Sequence, residues 1–380
     1  MTLKHILLTF AIALVPAFIH ADGVDDEHFL DSVEHPTQDL IMQKLQKKPW
    51  TLDKYVTLPK FGGYIIANYK YDSSKGKSNT FDFRNIRFYV DGTVFRDFKY
   101  RVQMEISGNP GGSGKGVRVI DAFIDWTHFK EFGVKLGEYK RCFTFENPMN
   151  PWDICGGEYT QLTRNMAGMS TELYPGNIAS GGRDVGLQLH GNLIHNKAKG
   201  FSYLHYQAGV YNGQGINQKD ADKEKDWIGT VQVQPVKHWF IGVFGWHGSY
   251  YGLNGGSNKP QYSQYFSRWA VGTTYEGEKL SVRAEYARNH NTYPDKVVAD
   301  GWNLIASYNV WRWIKPFVRY DAYRSDAATW KTLNTIYGVG VNLKPHKNLM
   351  LQLQYNYIHN NATVVDKDYH QIWTMAYIRF

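Results

Sequence analysis

Long apolar runs are absent from this sequence after residue 21, and cysteine and proline are scarce, with 2 and 13 among 380 residues. A helix needs about 20 consecutive apolar residues to cross a membrane, so the rest of the chain has no candidate for such a helix. Two cysteines exclude a disulfide-rich scaffold. The main part of the chain therefore crosses a membrane as strands or not at all.

Motifs for catalysis and metal binding are also missing. The 14 histidines show no metal-ligand spacing, and no motif places a nucleophile beside a base. The glycine-rich stretch 108–116 departs from the phosphate-binding loop pattern and joins two predicted strands instead of opening a helix. We therefore predict no enzymatic activity, no metal and no cofactor.

The N-terminal segment has the pattern of a secretory signal peptide. Lys4 and His5 precede an apolar run, and small residues follow up to Ala21. We expect residues 1–21 to be removed; a membrane anchor is the alternative, although the run is short for one. Residues 22–60 are predicted to form an extension with a short amphipathic helix over 37–48.

Residues 61–380 alternate between apolar and polar positions in segments of roughly ten residues, which is typical of membrane β-barrels. The gaps between the segments alternate between short and long, as tight periplasmic turns and longer outer loops would. A soluble β-sandwich gives no reason for that alternation. The sequence therefore predicts an all-β fold, a 16-stranded antiparallel transmembrane barrel. The predicted strands are 61–71, 80–92, 97–107, 117–128, 133–142, 183–195, 200–212, 226–235, 238–248, 265–276, 279–291, 300–311, 314–325, 333–345, 348–360 and 368–380.

The predicted last strand ends on Phe380 and has one greasy face and one mixed face, with Ile372 and Ile378 opposite Trp373 and Tyr377. Such a strand would be a hazard as an exposed edge, so we expect it to pair with the first strand and close the barrel. Aromatic residues near strand ends fit interfacial girdles. These residues are Trp126, Tyr211, Trp227, Trp302, Trp311 and Tyr357.

Residues 143–182 form the longest irregular stretch of the barrel region and would be its third outer loop. We predict that this loop folds into the lumen, because its apolar residues need a surface to pack against. A loop lying over the mouth is the alternative. Cys142 and Cys155 are close in sequence in an oxidising compartment, which favours a disulfide; two free thiols or a metal site are the alternatives.

The net charge is +8, and an exported protein seldom meets nucleic acid, so we expect contact with an anionic surface or anionic solutes. Basic residues on the polar phase of the strands, together with those at the loop, are the predicted anion-binding set of the lumen. The alternative is that each pairs with a neighbouring acid. The set comprises Lys99, Arg101, Lys140, Arg141, Arg164, Arg268, Arg283, Arg319 and Arg379.

Several of these segments resemble the phosphate-selective porin O and P family. The resemblance rests on residues 87–106, 121–126 and 134–148, and on the stretches GGRDVGLQLHGNL at 181–193 and YQAGVYNGQGINQKD and DWIGTVQVQP within 206–235. It implies a sixteen-stranded porin of the bacterial outer membrane, surrounded by outer-membrane lipid, homotrimeric, and passing small anionic solutes. No regularly spaced arginine ladder of the kind known in that family is visible here.

The sequence thus predicts passive diffusion of small hydrophilic solutes with a preference for anions, phosphate among them. An oligosaccharide-specific channel is the alternative, with Tyr323, Trp373 and Tyr377 as inward stacking rings. A non-conducting barrel with a structural or adhesive role is the third hypothesis.

Overall fold

A computed structural model describes most of the barrel region but not the N-terminal segment. The signal peptide predicted over 1–21 and the helix predicted over 37–48 lie outside the described residues, as does part of the long loop. The residues described are 56–74, 76, 79–107, 116–168, 181–220, 222–252, 262–293, 296, 298–362 and 366–380.

Sixteen antiparallel strands form one closed sheet, in which each strand pairs with its neighbours in sequence. The strands are β1 Lys60–Asp72, β2 Thr80–Val94, β3 Phe98–Glu105, β4 Arg118–Trp126, β5 Gly133–Lys140, β6 Arg183–Asn196, β7 Phe201–Tyr211, β8 Asp226–Val236, β9 Trp239–Gly252, β10 Tyr262–Glu276, β11 Leu280–Tyr293, β12 Val298–Tyr308, β13 Ile314–Arg324, β14 Leu333–His346, β15 Leu349–Asn360 and β16 Asp368–Arg379. A short helix, α1 (Gln161–Met166), lies between β5 and β6, and a 3-10 turn, Trp330–Thr332, precedes β14.

The last strand closes the barrel against the first, as its sequence predicts. Tyr64 pairs with Arg379 and Asp72 with Gln371, so the pairing runs along most of β1. The chain end extends it, because Gly63 N–H donates to the carbonyl oxygen of Phe380. Among the described strands, none is left as an unpaired edge of the sheet.

The two faces of the sheet differ in chemistry. In β16, Ile372 and Ile378 are exposed on the outside, whereas Trp373 and Tyr377 point inward and are buried. The same alternation along β8 turns Trp227 outward. This apolar outer face suits lipid, and the inner face carries most of the charged and amide groups. Among the described residues, no helix has the length and apolar character needed to cross a membrane.

The prediction of the aromatic girdles is wrong for one residue, Tyr211. Trp227 and Trp311 are exposed, but Tyr211 is buried and packs edge-on against Tyr139 on the inner face. Its hydroxyl donates to the amide oxygen of Gln188, 2.7 Å away. The position of Tyr211 at a strand end is right; its phase in β7 points it inward.

A charge on the outer face should destabilise the barrel only at mid-membrane height. Leu304 lies in the middle of β12 and faces outward, whereas Val310 lies in the short connection to β13. We expect Leu304→Lys to lower the free energy of unfolding in lipid vesicles by about 2–4 kcal/mol, since a lysine there faces hydrocarbon. Val310→Lys should cost less than about 1 kcal/mol. Equal costs for the two variants, measured by guanidinium unfolding, would contradict the assignment of the outer face to lipid.

Candidate functional site

The segment that follows β5 lies against inward-facing side chains of distant strands. Backbone N–H of Phe145 donates to a carboxylate oxygen of Glu285 in β11, at 2.5 Å. The Phe145 ring packs edge-on against Phe244 of β9, with 5.1 Å between centroids. Further along, the Trp152 ring meets Tyr377 of β16 at 5.8 Å. The described part of this connection, residues 141–168, is called the seated loop below.

The first polar anchor of the seated loop is the ion pair between Glu146 and Arg283. Arg283 Nη2 donates to one oxygen of Glu146 at 2.5 Å. The other oxygen accepts from the backbone N–H and the hydroxyl of Thr160, at 2.7 and 2.6 Å. Burial opposes ionisation of Glu146, but Arg283, Arg319 and the Thr160 hydrogen bonds outweigh it and hold the pKa of this carboxyl below its usual value. Thr160 also caps α1, so the anchor joins the two halves of the loop.

Arg319 of β13 is the second anchor, and it binds backbone instead of another side chain of the loop. Its guanidinium donates to the carbonyl oxygens of Gly156, Glu158 and Tyr159 at 3.2, 2.7 and 3.1 Å. It also donates to Asp321 at 2.6 Å. Five donors in a planar fork suit this pattern better than one ammonium would.

The same wall supplies an acceptor for the loop backbone where α1 begins. Both carboxylate oxygens of Asp321 lie within hydrogen-bond distance of backbone N–H of Gln161, at 3.2 and 3.0 Å. The Gln161 side chain donates to the carbonyl oxygens of Asp321 and Asn334, at 3.2 Å each. The first turn of a helix leaves N–H groups without intrahelical partners, and Asp321 satisfies one of them.

A glycine allows the seated loop to approach the wall closely. Gly157 has φ +72°. A Cβ there would lie 2.2 Å from Met375 Cε and 3.0 Å from the side-chain oxygens of Gln352 and Gln354. Both the backbone conformation and the contact with the wall therefore require glycine at this position.

Two of the predicted lumen arginines pack against one tryptophan of the barrel wall and contact the end of the seated loop. The guanidinium carbons of Arg141 and Arg268 lie 4.5 and 4.4 Å from the Trp246 ring centroid. Arg268 also donates to the carbonyl oxygen of Met166 at 2.6 Å, and Arg141 to that of Ala167 at 3.3 Å. These two arginines thus hold the end of α1.

The remaining residues of the predicted set lie elsewhere in the interior. Arg101 forms a two-bond ion pair with Asp91, at 2.7 and 2.8 Å. Lys140 donates to the Tyr159 hydroxyl at 3.1 Å and to the carbonyl oxygen of Pro148 at 3.3 Å. Arg164 forms an ion pair with Glu158, with 2.8 Å between Nη1 and Oε2. The guanidinium carbon of Arg379 lies 5.2 Å from the Trp152 ring centroid, and Lys99 is half-buried on β3.

The structure adds two buried arginines that the predicted set omits. Arg87 donates to Glu105 at 2.7 Å and to the Tyr64 hydroxyl at 2.7 Å. Arg183 forms a two-bond pair with Asp121, at 2.9 and 3.0 Å. The alternation of β2 places Arg87 in phase with the inward Asp91, a signal that was available in the sequence.

The predicted disulfide between Cys142 and Cys155 is wrong, because both are free thiols. The two residues contact different parts of the wall: Cys142 lies 3.8 Å from the Tyr211 hydroxyl, whereas Cys155 lies 3.6 Å from the Asn342 amide. Proximity in sequence misled the prediction, since the two side chains contact different strands, β7 and β14. Burial raises the pKa of the Cys142 thiol to about 11 and also raises that of Cys155, so both stay protonated.

Sequence comparison finds a known family to which part of the chain is similar. Residues 62–168 match the family model of phosphate-selective porin O and P. Porin O of Pseudomonas aeruginosa is 32% identical over 101 residues, which span 25% of this chain and 23% of that relative. The matched stretch thus covers about a quarter of each protein. Residues 181–235, which also resemble the family, lie beyond the family match, so that part of the resemblance stays a prediction.

Comparison with solved structures shows the barrel fold over nearly the whole described region. The anion-selective porin from Comamonas acidovorans aligns with a TM-score of 0.63 at 13% identity, covering 86% of this chain and 100% of that one. OmpT of Vibrio cholerae in its trimer form gives 0.60 at 14% identity, covering 86% and 100%. The outer membrane channel DcaP of Acinetobacter baumannii gives 0.60 at 12% identity, covering 86% and 98%.

These comparisons agree with the chemistry of the sheet. The matched residues run from β1 through the seated loop, and the strands that follow complete a closed barrel with an apolar outer face. Residues 62–168 thus resemble the phosphate-selective porin O and P family, and the described region has the closed-barrel fold of the solved outer-membrane channels.

Proposed function

We propose that the protein is a porin through which small hydrophilic solutes diffuse passively, with a preference for anions. The observation that carries the proposal is the closed sixteen-stranded sheet with a charged inner wall and the seated loop anchored to that wall. A barrel of this size leaves an aqueous interior. The proposed activity needs no reaction and no cofactor.

We further propose that the loop 143–182 narrows the pore. Its described part contacts inward-facing residues on β9, β11, β13 and β16, so it spans a wide arc of the interior. Its anchors include buried charged groups on both partners, and removing one partner of such a pair typically costs about 3–5 kcal/mol. A firmly held loop would give a constriction of fixed size.

The anion preference rests on the net charge of +8 and on basic groups that keep some access to water. Most predicted lumen arginines donate to acids or loop carbonyls, so they set the potential of the wall more than they bind solutes directly. Arg164 is the best candidate for direct contact, because its side chain is 34% exposed. Phosphate is proposed as one permeant anion, in line with the family's description.

Two further hypotheses from the sequence concern sugar binding and the oligomeric state. The rings proposed for sugar stacking are covered, since Tyr323, Trp373 and Tyr377 are only 8%, 6% and 0% exposed. This disfavours an oligosaccharide-specific channel. A homotrimer is proposed by likeness to OmpT, whose structure is described as a trimer form.

Neutralising Arg164 should reduce anion preference. A unit charge about 6 Å from the ion path in water attracts an anion and repels a cation by about 0.7 kcal/mol each, so it changes their permeability ratio by about 1.4 kcal/mol, or about tenfold. We expect Arg164→Gln to lower the chloride-to-potassium permeability ratio by up to about tenfold, measured as the reversal potential in a planar bilayer under a salt gradient. Arg312→Gln is the matched control, since Arg312 is exposed in the short connection after β12. A reversal potential that shows cation selectivity in the wild type would contradict the proposed anion preference.

Replacing Gly157 should move the seated loop away from the barrel wall. Gly200 is the control, because its φ of +71° is nearly that of Gly157 but a Cβ there meets nothing within 4 Å. Both alanine variants carry backbone strain of about 1 kcal/mol, and only Gly157→Ala collides with the wall. With Cys142 changed to alanine in both, we expect a thiol reagent to label Cys155 roughly tenfold faster in Gly157→Ala. Equal labelling in the two variants would argue against a tight seat.

Protonation of Glu146 at low pH should weaken the attachment of the seated loop to the barrel wall. Because the folded pKa of this carboxyl is lowered, its stabilising effect is complete above the unfolded value of about 4.3 and is lost as pH falls through the folded value. We expect current fluctuations of single channels to grow between pH 7 and pH 3. Glu146→Gln should fluctuate already at pH 7 and respond less to acid. A wild-type current that stays equally quiet at pH 3 would count against this role.

A further inference from the structure

The outer face of the barrel carries a row of charges that the proposed pore does not use. Cross-strand pairing sets Trp269 of β10 beside Arg288 of β11, Arg288 beside Asp300 of β12, and Asp300 beside Arg324 of β13. Asp300 shares the outward phase of the exposed Leu304 on β12. The row lies toward the barrel end with the long connections, which is the outer end of such barrels.

Only one of the two arginines in this row is neutralised. Asp300 is 1% exposed, and its oxygens accept from Nε and Nη2 of Arg324 at 2.8 and 2.6 Å. The Tyr286 hydroxyl completes its partners at 3.2 Å. Arg288 is half-buried and has no hydrogen-bond or ion-pair partner in the described part of the chain. The row therefore carries an excess of one positive charge.

Tryptophan side chains surround the row and indicate its height in the membrane. The guanidinium of Arg324 lies 4.2 Å from the Trp330 ring centroid and 5.7 Å from that of Trp302. Trp330 is 61% exposed. On the other side, the Trp269 and Tyr286 rings lie 5.3 Å apart. Tryptophan and tyrosine gather at the level of lipid headgroups, because their rings are apolar and carry one polar group.

An unpaired arginine at the height of the lipid headgroups is placed to bind an anion from outside the protein. At this height the membrane itself supplies one, the phosphate of a lipid headgroup, and a guanidinium binds phosphate through two parallel hydrogen bonds. We propose that Arg288 and its neighbours bind the phosphate group of a lipid in the outer leaflet. Arg288 provides the charge, Arg324 lends Nη1, which has no hydrogen bond to the described residues, and the apolar face below Leu304 receives the acyl chains. The site is independent of conduction.

Native mass spectrometry of the detergent-solubilised full-length protein can test this site. The probes are phosphatidylglycerol and phosphatidylcholine with identical acyl chains, which separate an anionic headgroup from a zwitterionic one. We expect the wild type to retain phosphatidylglycerol preferentially, and Arg288→Gln to lose roughly tenfold of that affinity, the equivalent of one charge-assisted pair. Arg288→Lys should lose less, since it keeps the charge.

Matched controls distinguish the alternatives. Arg312→Gln removes an exposed arginine from the same side of the barrel at its opposite end, and should retain phosphatidylglycerol like the wild type. Equal binding by Arg288→Gln and the wild type would overturn the proposal. Displacement of the lipid by millimolar inorganic phosphate would assign the site to a soluble anion instead. A change in oligomer mass in Arg288→Gln would show that a second copy of the chain covers this face, and would also overturn it.

Discussion

Satisfaction of backbone hydrogen bonds within the membrane is the constraint on which the rest of this structure depends. Hydrocarbon offers no partner to a free N–H or carbonyl, so a sheet in a bilayer has to close on itself. Here closure is made by β1 and β16, whose pairing runs from Tyr64 with Arg379 to Asp72 with Gln371. Once the sheet is closed, strand alternation alone decides which side chains meet lipid and which meet water.

The seated loop poses the same problem for its own backbone. An irregular segment has N–H and carbonyl groups that no neighbouring strand satisfies. The wall answers with side chains: Arg319 donates to three carbonyl oxygens, while Glu285 and Asp321 accept from backbone N–H groups. The charges of the wall are thus largely structural partners of the loop, which explains why acids and arginines alternate there without a ladder.

The architecture was predictable from the sequence because its signals are local. Strand period, turn length and the aromatic last strand each depend on neighbouring residues, and the sixteen predicted strands match the observed ones within a few residues. The site was predictable only in part. Strand phase identified Arg101, Arg268, Arg283 and Arg319 as inward, but it gave no information about what they contact.

The misses arise where contacts join residues far apart in the chain. Cys142 and Cys155 are near in sequence but contact β7 and β14 respectively, so their spacing falsely favoured a disulfide. The three carbonyl partners of Arg319 belong to residues some 160 positions away, and no periodicity reports such pairing. The charged row around Arg288 was likewise invisible, since it requires the register of four strands.

The hydrogen bonds of Arg319 to the loop backbone couple two properties, the charge of the wall and the position of the loop. A substitution that removes the charge of Arg319 also removes its hydrogen bonds to the segment that we propose narrows the pore. Bore and charge should therefore change together among variants at this position, and an evolutionary path toward a different solute would have to rebuild both in one step or first loosen the loop elsewhere.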